Sequence, residues 1–251
     1  MITCEQIINK LKEMAYANEN VYAMWLEGSD GLGKTDAYSD VDLWFDIGDA
    51  HAEAFLHECV DALSELSLPD SVDEIKHDSG EIFQVNLHLE NAPPFLMTDI
   101  CVQKHSRDRS ATAFTENDIA ELPLIIFDRG GVITFKEYEP LSKEKVQEII
   151  AKQVTVFSQR ARAEKYIYRK QFIEAANKLK EYVIDPVLVL ARLIYTPRIW
   201  YYGTCHISNH LPTDEVLEIE RLFKNNSLED LLQNFKRAEG LFNKYLGLLG
   251  F

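Results

Sequence analysis

The stretch from Leu26 to Ile47 constrains this chain more than any other. An apolar segment, Val21–Glu27, runs into a glycine-rich turn at Gly28–Gly33. Seven residues later, Asp40-Val41-Asp42-Leu43-Trp44-Phe45-Asp46-Ile47 alternates polar and apolar side chains. A period of two is the mark of a half-buried strand. It sends Val41, Leu43, Phe45 and Ile47 toward a core and leaves Asp40 and Asp42 about 7 Å apart on the other face. Two like-charged carboxylates make poor core material but good ligands for a hard divalent cation.

The same stretch matches a phosphate-loop pattern, since Gly28 through Thr35 read G-x-x-x-x-G-K-[ST]. Leu124-Ile125-Ile126-Phe127-Asp128 can pass for the apolar strand and acid of such proteins. That pattern needs a helix opening at Lys34-Thr35, whose N-terminal amides hold the phosphates. Here Asp36-Ala37-Tyr38-Ser39-Asp40 follows and the next strand begins at once, too soon for a parallel crossover of about a dozen residues. Asp30 inside the loop would also oppose phosphate.

Gly28-Ser29, ten residues, then Asp40-Val41-Asp42 resembles the G-S-x(n)-D-x-D signature of the DNA polymerase β-like nucleotidyltransferase superfamily. A third carboxylate, Asp99, lies inside the apolar run Phe95–Val102, where an ionised side chain is costly unless paired or coordinated. In the superfamily a third acid on a neighbouring strand completes the metal site or takes the substrate proton. The resemblance implies two Mg2+ ions held by Asp40, Asp42 and Asp99, with ATP or another nucleoside triphosphate as substrate. It assigns Gly28 and Ser29 to the phosphates. Lys34 reaches a phosphate or is a solvated loop lysine.

The rest of the chain fits an α+β domain with a mixed sheet, followed by an all-α bundle. Helical spacing marks residues 7–15 and 51–66; alternation marks a strand over 82–89; the 95–102 run reads as a buried strand. Leu124–Phe127 and Val132–Phe135 around Asp128-Arg129-Gly130-Gly131 read as a hairpin. After Pro140 the pattern is helical: one long stretch from Ser142 to about Tyr182, a second through Asp185-Pro186 to about Tyr201, then helices capped by Thr213 and Ser227. Domains of 1–139 and 140–251 follow. The order resembles the small antibiotic nucleotidyltransferases that modify aminoglycosides and lincosamides, as do Arg129-Gly130-Gly131 and Tyr202-Gly203…Leu211-Pro212. The resemblance implies transfer of a nucleoside monophosphate to a hydroxyl of a small acceptor, with release of pyrophosphate. A phosphotransferase using Gly28–Thr35 and a non-catalytic nucleotide-binding module are the alternatives.

Charge divides at the same place. Residues 1–139 carry 9 Lys+Arg against 28 Asp+Glu, and residues 140–251 carry 17 against 13. An overall −15 opposes duplex DNA binding, which needs a basic face to displace counterions. The acidic half suits an amine-bearing acceptor. A basic run, Arg160, Arg162, Lys165, Arg169 and Lys170, is a solvated helix face or a grip on the triphosphate, with Arg169 and Lys170 the candidate nucleotide-binding pair. Asp46 reads as solvated, and Glu81 and His88 as cleft-lining or simply exposed. His206 and His210 read as surface, and Trp25, Trp44 and Trp200 as packing. Apolar runs such as Pro186–Ala191 are too short to span a membrane. The N-terminus lacks the apolar core of a signal peptide. Four scattered cysteines point to a reducing cytoplasm and small buried packing roles.

Overall fold

The computed structural model describes all 251 residues, apart from the side chain of Ala111. The chain divides into two compact units, Met1–Tyr138 and Glu139–Phe251.

In the first unit, helix α1 (Cys4–Ala17) opens on a capping box, in which Thr3 and Gln6 satisfy each other's backbone amides. Strand β1 (Val21–Leu26) leads through one short helical turn at Gly28–Gly31 into β2 (Val41–Ile47). Helix α2 (Ala52–Ser64) is followed by β3 (Pro69–Lys76), β4 (Ile82–Leu89), β5 (Thr98–Lys104) and β6 (Leu124–Asp128). Together they form a six-stranded sheet in the order β3-β4-β5-β2-β1-β6. It is mixed: β2 and β5 run parallel, and the other four pairings are antiparallel. The period-two strands bury one face. Val41, Leu43, Phe45, Val85, Leu87, Ile100 and Val102 meet Ile7 and Leu11 of α1 and Phe55, Cys59 and Leu63 of α2 in one apolar cluster. The opposite face carries Asp42, Gln84, Asn86 and Asp99 on β2, β4 and β5, while Ala23, Trp25 and Trp44 form a small second apolar cluster with Val132.

Three expectations change here. β3 carries no alternation and was not expected; it is an exposed edge strand with Pro69 at its start, where a missing N–H costs no ladder bond. The 124–135 segment is not a hairpin. β6 pairs with β1, and the Asp128 carboxylate accepts the N–H groups of Gly130, Val132 and Ile133, turning the chain away. Phe135–Lys136 pairs instead with Phe114–Thr115 in a separate two-stranded parallel ladder. The strand expected at 95–102 begins at Thr98.

The second unit is helical. Its members are α3 (Lys143–Phe157), α4 (Ala161–Tyr168), α5 (Phe172–Leu179), α6 (Asp185–Tyr195), α7 (Thr213–Phe223) and α8 (Leu228–Leu248). The long stretch expected from Ser142 to Tyr182 is broken near Arg160 and at Arg169–Gln171, where Lys170 takes a left-handed backbone. α5 and α6 are joined by a π-helical turn, Lys180–Ile184, which absorbs the bond that Pro186 cannot donate. Ser142 and Ser227 cap their helices as expected; Thr213 lies inside α7 and caps nothing, because Pro212 holds the cap position. The core runs from Ile149 through Leu188 and Leu190 to Leu241 and Tyr245. Among the described residues, no helix is long and apolar enough to cross a membrane.

Candidate active site

β2 and β5 are parallel neighbours, and their register sets Asp42 directly opposite Asp99. Both belong to the open face of the sheet. Asp40 ends the preceding loop, exposed, two residues before Asp42. The three acids singled out in the sequence therefore meet at one end of two adjacent strands.

The glycine turn closes against them. The Glu27 N–H donates to the Asp42 carbonyl at 3.0 Å, which ties the turn to β2. Gly28 has φ +57°, and a Cβ placed there would lie 2.0 Å from Asp42 Oδ2. Glycine is required twice, for its backbone conformation and for the space. Ser29 Oγ is buried and has no hydrogen-bond partner. Such a hydroxyl costs free energy until something reaches it. Lys34 is exposed, and its own N–H donates to the Ser29 carbonyl at 2.9 Å. No helix opens at Lys34; residues 32–40 are turns, held by Asp36 and Ser39, and β1 and β2 are antiparallel. The phosphate-loop reading is thereby overturned. The Asp128 it would have used is saturated by backbone amides.

The electrostatics follow from burial among like charges. Asp42 is pushed up to about 6, first by burial and then by Asp40, Asp99 and Asp30. Burial raises Asp30, with Asp40 adding to it. Asp99 is also raised by burial, against the opposing hydrogen bonds from Gln84 and Cys101. Glu27, whose carboxylate accepts the Trp25 indole N–H at 2.8 Å, is pushed up to about 7, mainly by burial. Carboxylates that raise one another are a cluster short of positive charge.

That shortage is the test of whether a cation belongs here. Among the described residues, no three His, Cys, Asp or Glu side chains are drawn together into a metal cage. Magnesium does not ask for one: it commonly takes one or two carboxylates and completes its shell with water and substrate phosphate. The all-oxygen donors, the mutual repulsion and the orphaned Ser29 hydroxyl beside them fit a magnesium-bound phosphate group.

Two residues of the site were missed in the sequence. Gln84 Nε2 donates to both oxygens of Asp99, at 2.9 and 2.8 Å. Asn86, with its amide nitrogen turned inward, reaches the same oxygens at 3.0 and 3.1 Å. Their shared parity on β4, the polar half of an alternating strand, was the available signal. Asp46 is a correction. It is not solvated but buried, accepting from Gln103 Nε2 at 2.8 Å and bonded to His105 Nδ1 at 2.6 Å. His88 is held by Asp70 and the Pro93 carbonyl, and Glu81 is exposed at the start of β4. Cys59 and Cys101 are buried as expected, whereas Cys205 is exposed. In the helical unit, Arg160 pairs with Glu239 at 2.6 Å. Arg169 and Lys170 are exposed, with the Arg169 guanidinium 6.0 Å from the Tyr166 ring.

No family model matches the chain, and no curated protein matches it. Several solved structures are similar to it in fold. An aminoglycoside 6-adenyltransferase from Bacillus subtilis shares 13% identity over 98% of this chain and 89% of its own, with a TM-score of 0.38. A spectinomycin adenyltransferase from Enterococcus faecialis, solved with ATP and spectinomycin, shares 12% identity over 94% of this chain and 100% of its own, at 0.32. The GLD-2/RNP-8 complex shares 13% over 93% of this chain and 77% of that chain, at 0.27. These are likenesses of overall course at low identity; the chemistry follows from this chain's own residues.

Proposed function

We propose that this protein is a magnesium-dependent nucleotidyltransferase. It moves a nucleoside monophosphate from ATP, or another nucleoside triphosphate, to a hydroxyl of a small, amine-bearing acceptor of the aminoglycoside or lincosamide type. The observation that carries the reading is the register of Asp42 against Asp99, closed on one side by Gly28 and the unpartnered Ser29 hydroxyl.

Asp40 and Asp42, with Asp99, would hold the magnesium. When bound, magnesium neutralises the triphosphate and favours an ionised acceptor hydroxyl. The chain's own groups do the rest. Gly28 lets the backbone approach the β- and γ-phosphates, and Ser29 Oγ supplies the hydrogen bond it lacks. Lys34 adds positive charge for the phosphates. The acceptor oxygen bonds to the α-phosphorus, the bond from that phosphorus to the β-bridging oxygen breaks, and pyrophosphate leaves. Asp99 takes the hydroxyl proton or coordinates the cation. The protein's contribution is alignment and charge stabilisation. The excess of acid in residues 1–139 draws in a cationic acceptor.

The test is pyrophosphate release by the full-length protein with Mg-ATP over a panel of amine-bearing alcohols. Asp40→Ala and Asp42→Ala should each abolish release while the protein stays folded. Wild-type rates in both variants would refute the assignment.

A further inference from the structure

Asp99 is held by a chain of side chains, not merely placed by its strand. Gln84 Nε2 donates to both carboxylate oxygens, at 2.9 and 2.8 Å. Gln84 lies on β4, opposite Cys101 and two residues from Asn86, which faces Asp99 across the ladder. The Gln84 amide is itself locked. Its Oε1 sits 2.7 Å from His77 Nε2, in the turn between β3 and β4. An amide oxygen only accepts, so His77 Nε2 must carry the proton and donate it. Flipping the amide would set its oxygen against the Asp99 carboxylate and lose both hydrogen bonds to it, so one orientation survives.

We propose that His77 and Gln84 are positioning residues, which together fix the orientation in which the Asp99 carboxylate meets the cation and the acceptor hydroxyl. The proposal rests on the nucleotidyl-transfer reading and deepens it. Neither residue touches substrate. Outer partners of this kind orient a metal-binding carboxylate, and their loss commonly costs about 10- to 100-fold in metal affinity or activity.

The experiment uses the full-length protein with Mn2+ as probe, free Mn2+ being read by electron paramagnetic resonance with a non-hydrolysable ATP analogue present. Turnover is measured in parallel. Gln84→Leu should weaken Mn2+ binding about 10- to 100-fold and lower kcat with little change in KM for ATP. His77→Ala, at a half-exposed turn position where folding is not at stake, should give a smaller loss in the same direction. His77→Gln should recover most of it, because its side-chain N–H can still donate. If Gln84→Leu and His77→Ala match wild type in both readouts while Asp99→Ala loses both, the positioning role is wrong and the enzyme reading stands. If Asp40→Ala, Asp42→Ala and Asp99→Ala all bind Mn2+ as wild type does, the nucleotidyl-transfer reading falls and takes this inference with it.

Discussion

Gly28→Ala probes the closest contact in the candidate site. Two costs are separable. The first is backbone strain: at φ +57° an L-residue with a Cβ pays about 1–2 kcal/mol. The second is the collision, since the new Cβ would stand 2.0 Å from Asp42 Oδ2 and 3.1 Å from its Cγ. The Asp42 side chain must swing away, and a misplacement of about 1 Å at a reacting centre costs about 100-fold in rate. Gly33 supplies the control. It has φ +63° with nothing within 4 Å of its would-be Cβ, so Gly33→Ala pays only the strain. Paired with Asp42→Ala, Gly28→Ala loses its collision partner, because the Asp42 Cβ lies at an ordinary 3.7 Å. Denaturant unfolding should then show Gly28→Ala more destabilising than Gly33→Ala, with the excess vanishing in the double variant as a coupling between sites in contact. Pyrophosphate release should fall about 100-fold in Gly28→Ala and stay near wild type in Gly33→Ala. Equal effects of the two alanines on stability and rate would refute the close packing of the turn on Asp42.

Stability in metal-free buffer should fall as pH rises. Asp42 and Glu27 titrate near 6 and 7 when folded, above their unfolded values, so the native state binds more protons through that window and is favoured at its acid end. Asp42→Asn should flatten this slope between about pH 4 and 6 and add about 1 kcal/mol at pH 8, a figure already reduced for solvent screening; an unchanged unfolding-versus-pH profile would contradict it. Asp46→Ala strands the Gln103 amide and frees His105, and should cost about 2–3 kcal/mol in unfolding experiments, with turnover per folded molecule preserved.

Much of this was legible because the informative residues obey a local rule. Period two at 40–47 placed Asp40 and Asp42 on one face and Val41, Leu43 and Phe45 in the core; the strand begins at Val41 and keeps the alternation through Phe45. Asp99 was legible as an acid in an apolar run; that it lies opposite Asp42 depends on β2–β5 pairing, which no local pattern encodes. β3 was hidden because an exposed edge strand needs no apolar face: Asp70, Ser71, Asp73 and Glu74 leave no apolar period to read. Asp46 shared the parity of Asp42, yet its fate is set by Gln103 and His105 at the far end of β5. Gln84 and Asn86 had the right parity too, but an amide on a strand says nothing of its partner until the neighbouring carboxylate is in place. The hairpin at 124–135 failed because Asp128 turns the chain through its own side chain, a contact that competes with strand pairing.

The position of the label after turnover tests the central claim most directly. ATP carrying a label in the α-phosphate, and in a parallel reaction in the γ-phosphate, is incubated with the full-length protein, Mg2+ and an amine-bearing alcohol that supports turnover. The carboxylate pair facing the Gly28-Ser29 turn predicts α-label on the acceptor and γ-label in released pyrophosphate, with Lys34→Ala slowing the reaction by tenfold or less, about 1.4 kcal/mol. Transfer of γ-label to the acceptor with release of ADP would contradict it.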